Sequence, residues 1–176
     1  MYKYQRAFSL VELIATLAIM AIVFAVAAPP FQQQVQNNRT AAVAEDVLGA
    51  INFARVEALR RGSYVSVCAS SNGTSCTGNW EDGMIVFADS AAADNATPSV
   101  ASVLRVWSGF GDQADFSEAS NKTYVRYLGS GRMATAGETF AITVKFTGCK
   151  GERTARVISV GLSGIVGIGR ASCDGA

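Results

Sequence analysis

The pattern of hydrophobic and polar positions begins with a long apolar run over residues 8–31, in which Glu12 is the only ionisable residue. As a helix this run would reach about 36 Å, enough to cross a bilayer core of about 30 Å. Pro29 and Pro30 lie near its end, and proline removes a helical hydrogen bond, so we expect a kink or a break there. The pattern predicts a membrane-spanning helix over residues 8–30.

A second helical pattern follows over residues 31–62, polar at first and then amphipathic. Glu57 and Arg61 have the spacing of a favourable ion pair on a helix, and Gly62 is typical of a helix end. The two segments together predict one long helix. Apolar residues recur at spacings of three and four on one face, which is the face that we expect to be buried: Val47, Leu48, Ile51, Ala54, Ala58 and Leu59.

From residue 63 onwards the apolar period changes to two, which predicts β-strands separated by turns rich in glycine, serine and asparagine. The resulting β-rich domain covers residues 63–176, and the expected fold class is α+β, with the long helix packed on an antiparallel sheet. The predicted strands are residues 64–68, 83–89, 102–107, 123–128, 139–146, 155–160 and 165–169.

Composition narrows the function classes. The net charge is +1, which gives no general argument for a nucleic acid partner, and the chain contains no histidine. It also lacks a G-x-S-x-G motif and a phosphate-binding loop. We therefore expect neither an enzyme nor a resident cofactor or metal ion.

The chain has four cysteines, which predict two disulfides in an oxidising compartment. Three connectivities are open, and the local one is favoured: Cys68 with Cys76 and Cys149 with Cys173. Four reduced, buried thiols are the alternative. A zinc site is disfavoured because the chain has no C-x-x-C pair and no histidine.

Three interpretations of the N-terminus differ in how they treat Glu12. A secretory signal peptide fits the basic start and the small residues at 25–27, and a plain membrane anchor fits the length. Neither explains an acid within the apolar run. If the chain were cut between Ala7 and Phe8, the new α-amino group of Phe8 could pair with Glu12 of a neighbouring subunit. This pairing would offset the free-energy cost of a carboxylate within the apolar segment.

The stretch RAFSLVEL, residues 6–13, resembles the class III signal of type IV pilins and type II secretion pseudopilins. The resemblance implies that residues 1–7 are a leader that a prepilin peptidase removes after Ala7, and that Phe8 is then methylated. It also implies assembly through Phe8 and Glu12, with residues 8–30 in the filament core after assembly. The family usually has glycine where this chain has Ala7.

Residues 66–89 are similar to the GspH/FimT group of minor pilins and pseudopilins. The similarity lies in the paired cysteines, in a later glycine–arginine pair before Cys173, and in Trp80, Asp82, Gly83 and Asp89. It implies a structural subunit that initiates or caps a type IV pilus or a type II secretion pseudopilus, with other pilins as partners. The expected location is the bacterial inner membrane, with a periplasmic C-terminal domain. Of the two filament types, the pilus is favoured.

A DNA receptor at a pilus tip is the competing hypothesis, because some members of the group bind DNA through a G-R-x-R motif. Gly169 and Arg170 match that motif, but Ser172 replaces its second arginine. Binding to DNA requires clustered cations that neutralise phosphates. The candidate cations are Lys150, Arg153, Arg156 and Arg170, diluted by two nearby acids.

Overall fold

The computed structural model describes residues 8–111, 113–119, 123–134, 139–151 and 154–173, without the side chains of residues 26–30 and 32. The predicted leader, residues 1–7, and Arg153 lie outside these residues. The chain divides into two compact units, residues 1–35 and residues 36–176.

One helix, α1, spans Leu10–Arg61 and contains 52 residues. It runs through Pro29 and Pro30, so the expected break does not occur, while the expected kink stays a prediction. The helix ends as predicted: Gly62 has a φ of 63°, and its N–H donates to the carbonyl of Ala58 at 2.9 Å.

In the last turns of α1, the predicted ion pair of Glu57 and Arg61 also includes Arg60. Glu57 accepts hydrogen bonds from Arg61 at 2.8 Å and from both Arg60 Nε and Nη2, at 3.1 and 2.8 Å. These two arginines hold the pKa of Glu57 at about 2. Cationic side chains at this end also complement the helix dipole.

Among the described residues, eight strands follow the helix, and all seven predicted segments are among them. An eighth strand, β4, has no counterpart in the sequence prediction. The strands are β1 (Val65–Ala69), β2 (Gly83–Asp89), β3 (Val100–Ser108), β4 (Ala114–Glu118), β5 (Tyr124–Tyr127), β6 (Phe140–Phe146), β7 (Ala155–Val160) and β8 (Val166–Ala171).

The strands form two four-stranded antiparallel sheets, which confirms the expected α+β class and adds the division of the strands into two sheets. The first has the order β3-β2-β1-β5 and the second the order β4-β6-β7-β8. β5 pairs with β1, whereas β6 pairs with β7 and with β4, from Ala114↔Phe146 to Glu118↔Ile142, so that β4 is an edge strand of the second sheet.

Both sheets share one hydrophobic core with the second half of α1. Val47, Ile51, Ala54 and Ala58 are fully buried, as the helical spacing predicts, whereas Leu48 is half-buried and Leu59 is 51% exposed. The helix face is therefore narrower than expected. The sheets complete this core with alternate residues of their central strands, among them Val65, Val67, Val86, Phe140, Ile142, Val144, Ile158 and Val160.

The cysteines pair in the local pattern that was favoured. Cys68 is joined to Cys76 with their Cα atoms 5.5 Å apart, and Cys149 to Cys173 with a separation of 5.8 Å. The first disulfide closes the loop after β1. The second ties the end of β8 to the loop between β6 and β7.

Candidate functional site

The N-terminal end of α1 carries the residues that the sequence singled out for assembly. The carbonyl of Ser9 accepts hydrogen bonds from the N–H groups of Glu12 and Leu13, both at 3.1 Å, and begins the helix. Glu12 thus lies in the first turn, where a carboxylate is favoured by the helix dipole. Phe8 is 78% exposed, and Ala7 lies outside the described residues.

Residues 8–25 of the first unit are exposed throughout. A contiguous apolar surface of this kind marks a site of contact with protein or membrane. Within the part of the chain that the structure describes, no helix is long and apolar enough to cross a membrane, and the membrane-spanning role of residues 8–30 stays a prediction. The large exposed side chains are Phe8, Leu10, Val11, Leu13, Ile14, Leu17, Ile19, Met20, Ile22, Val23 and Phe24.

The candidate cations near the C-terminus do not form a single exposed surface. Arg156 of β7 and Arg170 of β8 lie directly opposite each other in the strand register. Arg156 is buried and donates from Nη2 to Asn37 Oδ1 of α1 at 2.8 Å, whereas Arg170 and Lys150 are exposed. Arg153 lies outside the described residues. DNA binding by these residues stays a prediction.

Burial lowers the pKa of Arg156, and the charge of Arg170 lowers it further. Both effects penalise the charged form of a side chain that is nevertheless a cation at any physiological pH. Arg156 and Arg170 are therefore two like charges held close together on neighbouring strands.

Three residues that carry the GspH/FimT resemblance have structural roles. Trp80 is buried and packs on Phe140, with the ring centroids 5.8 Å apart. Asp82 accepts the N–H of Asn79 at 2.9 Å. Gly83 has a φ of 126°, and a Cβ there would lie 2.6 Å from the carbonyl oxygen of Trp107, so only glycine fits.

Asp89 also has a structural role, as half of a buried ion pair. Its Oδ2 lies 2.8 Å from Arg126 Nε and accepts the hydroxyl of Ser66 at 2.6 Å. Its Oδ1 accepts the N–H groups of Ala91 and Ser99, at 3.0 and 2.9 Å. The carboxylate thereby holds both ends of the loop between β2 and β3.

Arg126 completes this arrangement on the outer face of the first sheet. Its guanidinium lies 5.7 Å from the ring centre of Tyr64 and 5.1 Å from that of Tyr124. Its Nη1 donates to the carbonyls of Ala93 and Asp94, at 3.1 and 2.8 Å. The side chains of both ion-pair partners are fully buried, so the pair fastens the β2–β3 loop onto the sheet.

Burial raises the pKa of Asp89, but the hydrogen bonds from Ser66, Ser99, Arg126 and Ala91 together outweigh it and hold the pKa below its ordinary value. The carboxylate is therefore ionised at neutral pH. The sequence prediction identified Asp89 and missed Arg126. The available signal was the alternation of Tyr124 and Arg126 in TYVRYL, which places the arginine on the same strand face as an aromatic ring.

Among the described side chains, no group of three or more histidine, cysteine, aspartate or glutamate residues could hold a metal ion. Two features remain as functional candidates: the exposed apolar helix with Glu12, and the pair of the buried Arg156 and the exposed Arg170.

Comparison with solved structures shows the fold. Two crystal structures of the type IV minor pilin FimU of Pseudomonas aeruginosa are similar, each 20% identical in sequence. The first has a TM-score of 0.61 and covers 77% of this chain and 96% of FimU. The second has a TM-score of 0.58, covering 76% and 98%. The long helix and the two sheets are thus the pilin fold.

Comparison with protein families identifies the family of the chain, which structural similarity alone does not. No curated protein sequence matches the chain. The family model of the prokaryotic N-terminal methylation motif matches residues 2–28, and that of the type II transport protein GspH matches residues 43–164. Because the second match covers more than half of the 176 residues, this chain belongs to the GspH family, and it bears the methylation motif at its N-terminus.

Proposed function

We propose that the mature chain is a minor structural subunit of a pilus-like filament, either a type IV pilus or a type II secretion pseudopilus. The observation that carries this proposal is the exposed apolar helix of residues 8–25 with Glu12 in its first turn. The methylation motif covers the same segment. Assembly with other helices accounts for both the apolar surface and its acid.

Before assembly, residues 8–30 anchor the chain in the bacterial inner membrane, and the domain of residues 63–176 lies in the periplasm. Its two disulfides support this location, because they persist in oxidising compartments. A prepilin peptidase cuts after Ala7 and methylates Phe8. The methylated amine is still a cation.

In the filament, the Phe8 amine of one subunit pairs with Glu12 of its neighbour. An isolated acid in a bilayer costs about 3 kcal/mol even on the gentler insertion scale. A pairing that exists only between aligned subunits offsets this cost and fixes their register, much as a buried polar residue specifies register in a coiled coil. The contact therefore favours assembly over the unpaired membrane state.

Incorporation of Glu12→Ala and Glu12→Gln into purified filaments tests this proposal. Both variants should accumulate in the membrane like the wild type, because removing a charge from an apolar segment favours insertion. Both should be depleted from the filament fraction. The control is Asp46→Ala, which removes an exposed acid of the same helix and should leave incorporation unchanged. Wild-type incorporation of Glu12→Ala would refute the pairing.

A further inference from the structure

The arginine pair lines a recess between α1 and the free edge of the second sheet. Glu45 of α1 forms one side, and Arg156, Ile168 and Arg170 form the other, around a volume of about 210 Å³. β8 is the last strand of its sheet. The recess is therefore open to a partner that approaches along this edge.

The two arginines occupy the same face of the sheet. Because Arg156 and Arg170 are register partners on antiparallel strands, their side chains lie side by side. Like charges in this arrangement destabilise a sheet. An anion placed between them would be attracted to both guanidinium groups and would weaken that repulsion.

The two side chains differ in mobility. Asn37 holds the guanidinium of Arg156, which is only 8% exposed, so this charge is fixed and already largely dehydrated. Arg170 is exposed, and none of the ion pairs among the described residues includes Arg170 or Glu45. The fixed guanidinium of Arg156 thus lies beside the guanidinium of Arg170, which can move to contact a ligand.

We propose that this recess is a socket for a single carboxylate, an aspartate or glutamate side chain presented by an adjacent subunit of the filament. A guanidinium binds a planar carboxylate through two parallel hydrogen bonds. Ile168, 41% exposed at the same recess, supplies an apolar contact beside the charge. The inference rests on the proposed function, because it names one lateral contact of the assembled subunit.

A nucleic acid fits the recess less well than a single carboxylate. Affinity for DNA requires several phosphates to be neutralised together, whereas Arg156 is buried against α1. Two arginines and Glu45 leave the recess with one net positive charge, which a single carboxylate balances and a run of phosphates exceeds. The recess accommodates one small anionic group rather than a continuous charged strand.

Charge reversal at the exposed arginine tests the socket in the full-length protein. Incorporation of Arg170→Glu into filaments should fall by at least about tenfold, as for truncation of one partner of a desolvated charge pair. Arg170→Lys should give an intermediate level of incorporation, because lysine keeps the positive charge but cannot donate the two parallel hydrogen bonds of a guanidinium. The matched control is Arg132→Glu, an exposed arginine outside the recess, which should incorporate like the wild type.

A photo-crosslinking amino acid at position 168 identifies the occupant independently of folding in the charge variants. Adducts should form with another filament subunit and map to a segment that contains an aspartate or glutamate. The same amino acid at Val103, on the edge strand β3 of the other sheet, should not give this adduct. Absence of the adduct from position 168 would overturn the inference.

The outcomes separate the inference from the proposed function. If the wild type incorporates and Arg170→Glu incorporates equally, the socket is wrong and the filament role stands. If the wild type is absent from filaments, both are overturned. Full incorporation of Arg170→Glu together with loss of its binding to duplex DNA, in a gel-shift at two salt concentrations, would assign the arginines to DNA instead.

Discussion

Removal of the charge on Asp89 is the sharpest perturbation of the domain that the structure offers. Asp89→Asn keeps the size of the side chain but leaves the guanidinium of Arg126 buried without its counter-charge. Breaking a buried pair from one side costs about 3–5 kcal/mol. For a chain of 176 residues, at roughly 2–4 °C per kcal/mol, the melting temperature should fall by roughly 6–20 °C.

The assay is thermal unfolding of the full chain in detergent micelles, followed by near-ultraviolet circular dichroism. Both tryptophans of the sequence, Trp80 and Trp107, lie in the domain and contact its core, so their signal reports its packing. The matched control is Asp115→Asn. Its carboxylate lies 3.7 Å from Lys145 with a side chain 55% exposed, and such a surface pair contributes about 0–1 kcal/mol.

A double replacement distinguishes the effect of an unpaired buried charge on stability from the effect of altered side-chain geometry. Asp89→Leu combined with Arg126→Met removes both charges, and apolar replacements of buried ion pairs are often neutral or stabilising. The double variant should therefore lose less stability than the sum of the single variants. If Asp89→Asn melts within the range of the Asp115→Asn control, the ion pair does not hold the β2–β3 loop and the reasoning is wrong.

Three further predictions concern the fold and the filament. The melting temperature should stay constant from neutral pH down to about pH 5 and should fall below about pH 4. The reason is that the lowered pKa of Asp89 contributes stability that is lost when the carboxylate is protonated. The melting temperature of Asp89→Asn should fall less over the same acid titration. Gly164→Ala should destabilise the domain in urea unfolding, because Gly164 has a φ of 77° and a Cβ there would collide with the carbonyl oxygen of Gly131; unchanged stability would contradict that geometry. Glu12→Ala should reduce crosslinks between neighbouring subunits while leaving domain melting unchanged, and a change in melting would indicate a structural role instead.

The elements with strong apolar periodicity could be predicted from the sequence. The spacing of Val47, Ile51, Ala54 and Ala58 identified the helix face, and Gly62 identified its end. Seven strands followed from alternation. These patterns are visible because one face of each element meets the same core.

The features that sequence reasoning missed depend on contacts between distant segments. β4 is an edge strand with the residues ADFSE, in which only Ala114 is buried, so it lacks the apolar alternation that marks a strand. The division into two sheets follows from the pairing of β5 with β1 and of β6 with β4 and β7, which carries no local signal. From the sequence, Arg126 would be expected at the surface, because the β2–β3 loop that covers it is distant in the sequence.

The resemblance of the N-terminal motif contributed more to the candidate site than periodicity did. Glu12 is an anomaly in an apolar run, and its interpretation depends on an amine that the precursor does not have. The structure places Glu12 in the first turn of an exposed apolar helix. The processing step that would create the amine concerns Ala7, outside the described residues.

Mass spectrometry of the N-terminal peptide from filament-associated protein tests the proposed processing. We expect a mature chain that begins at Phe8 and carries one methyl group on its α-amine. A chain that begins at Met1 would contradict the proposed processing, and one that begins at Ala28 would establish an ordinary secreted protein.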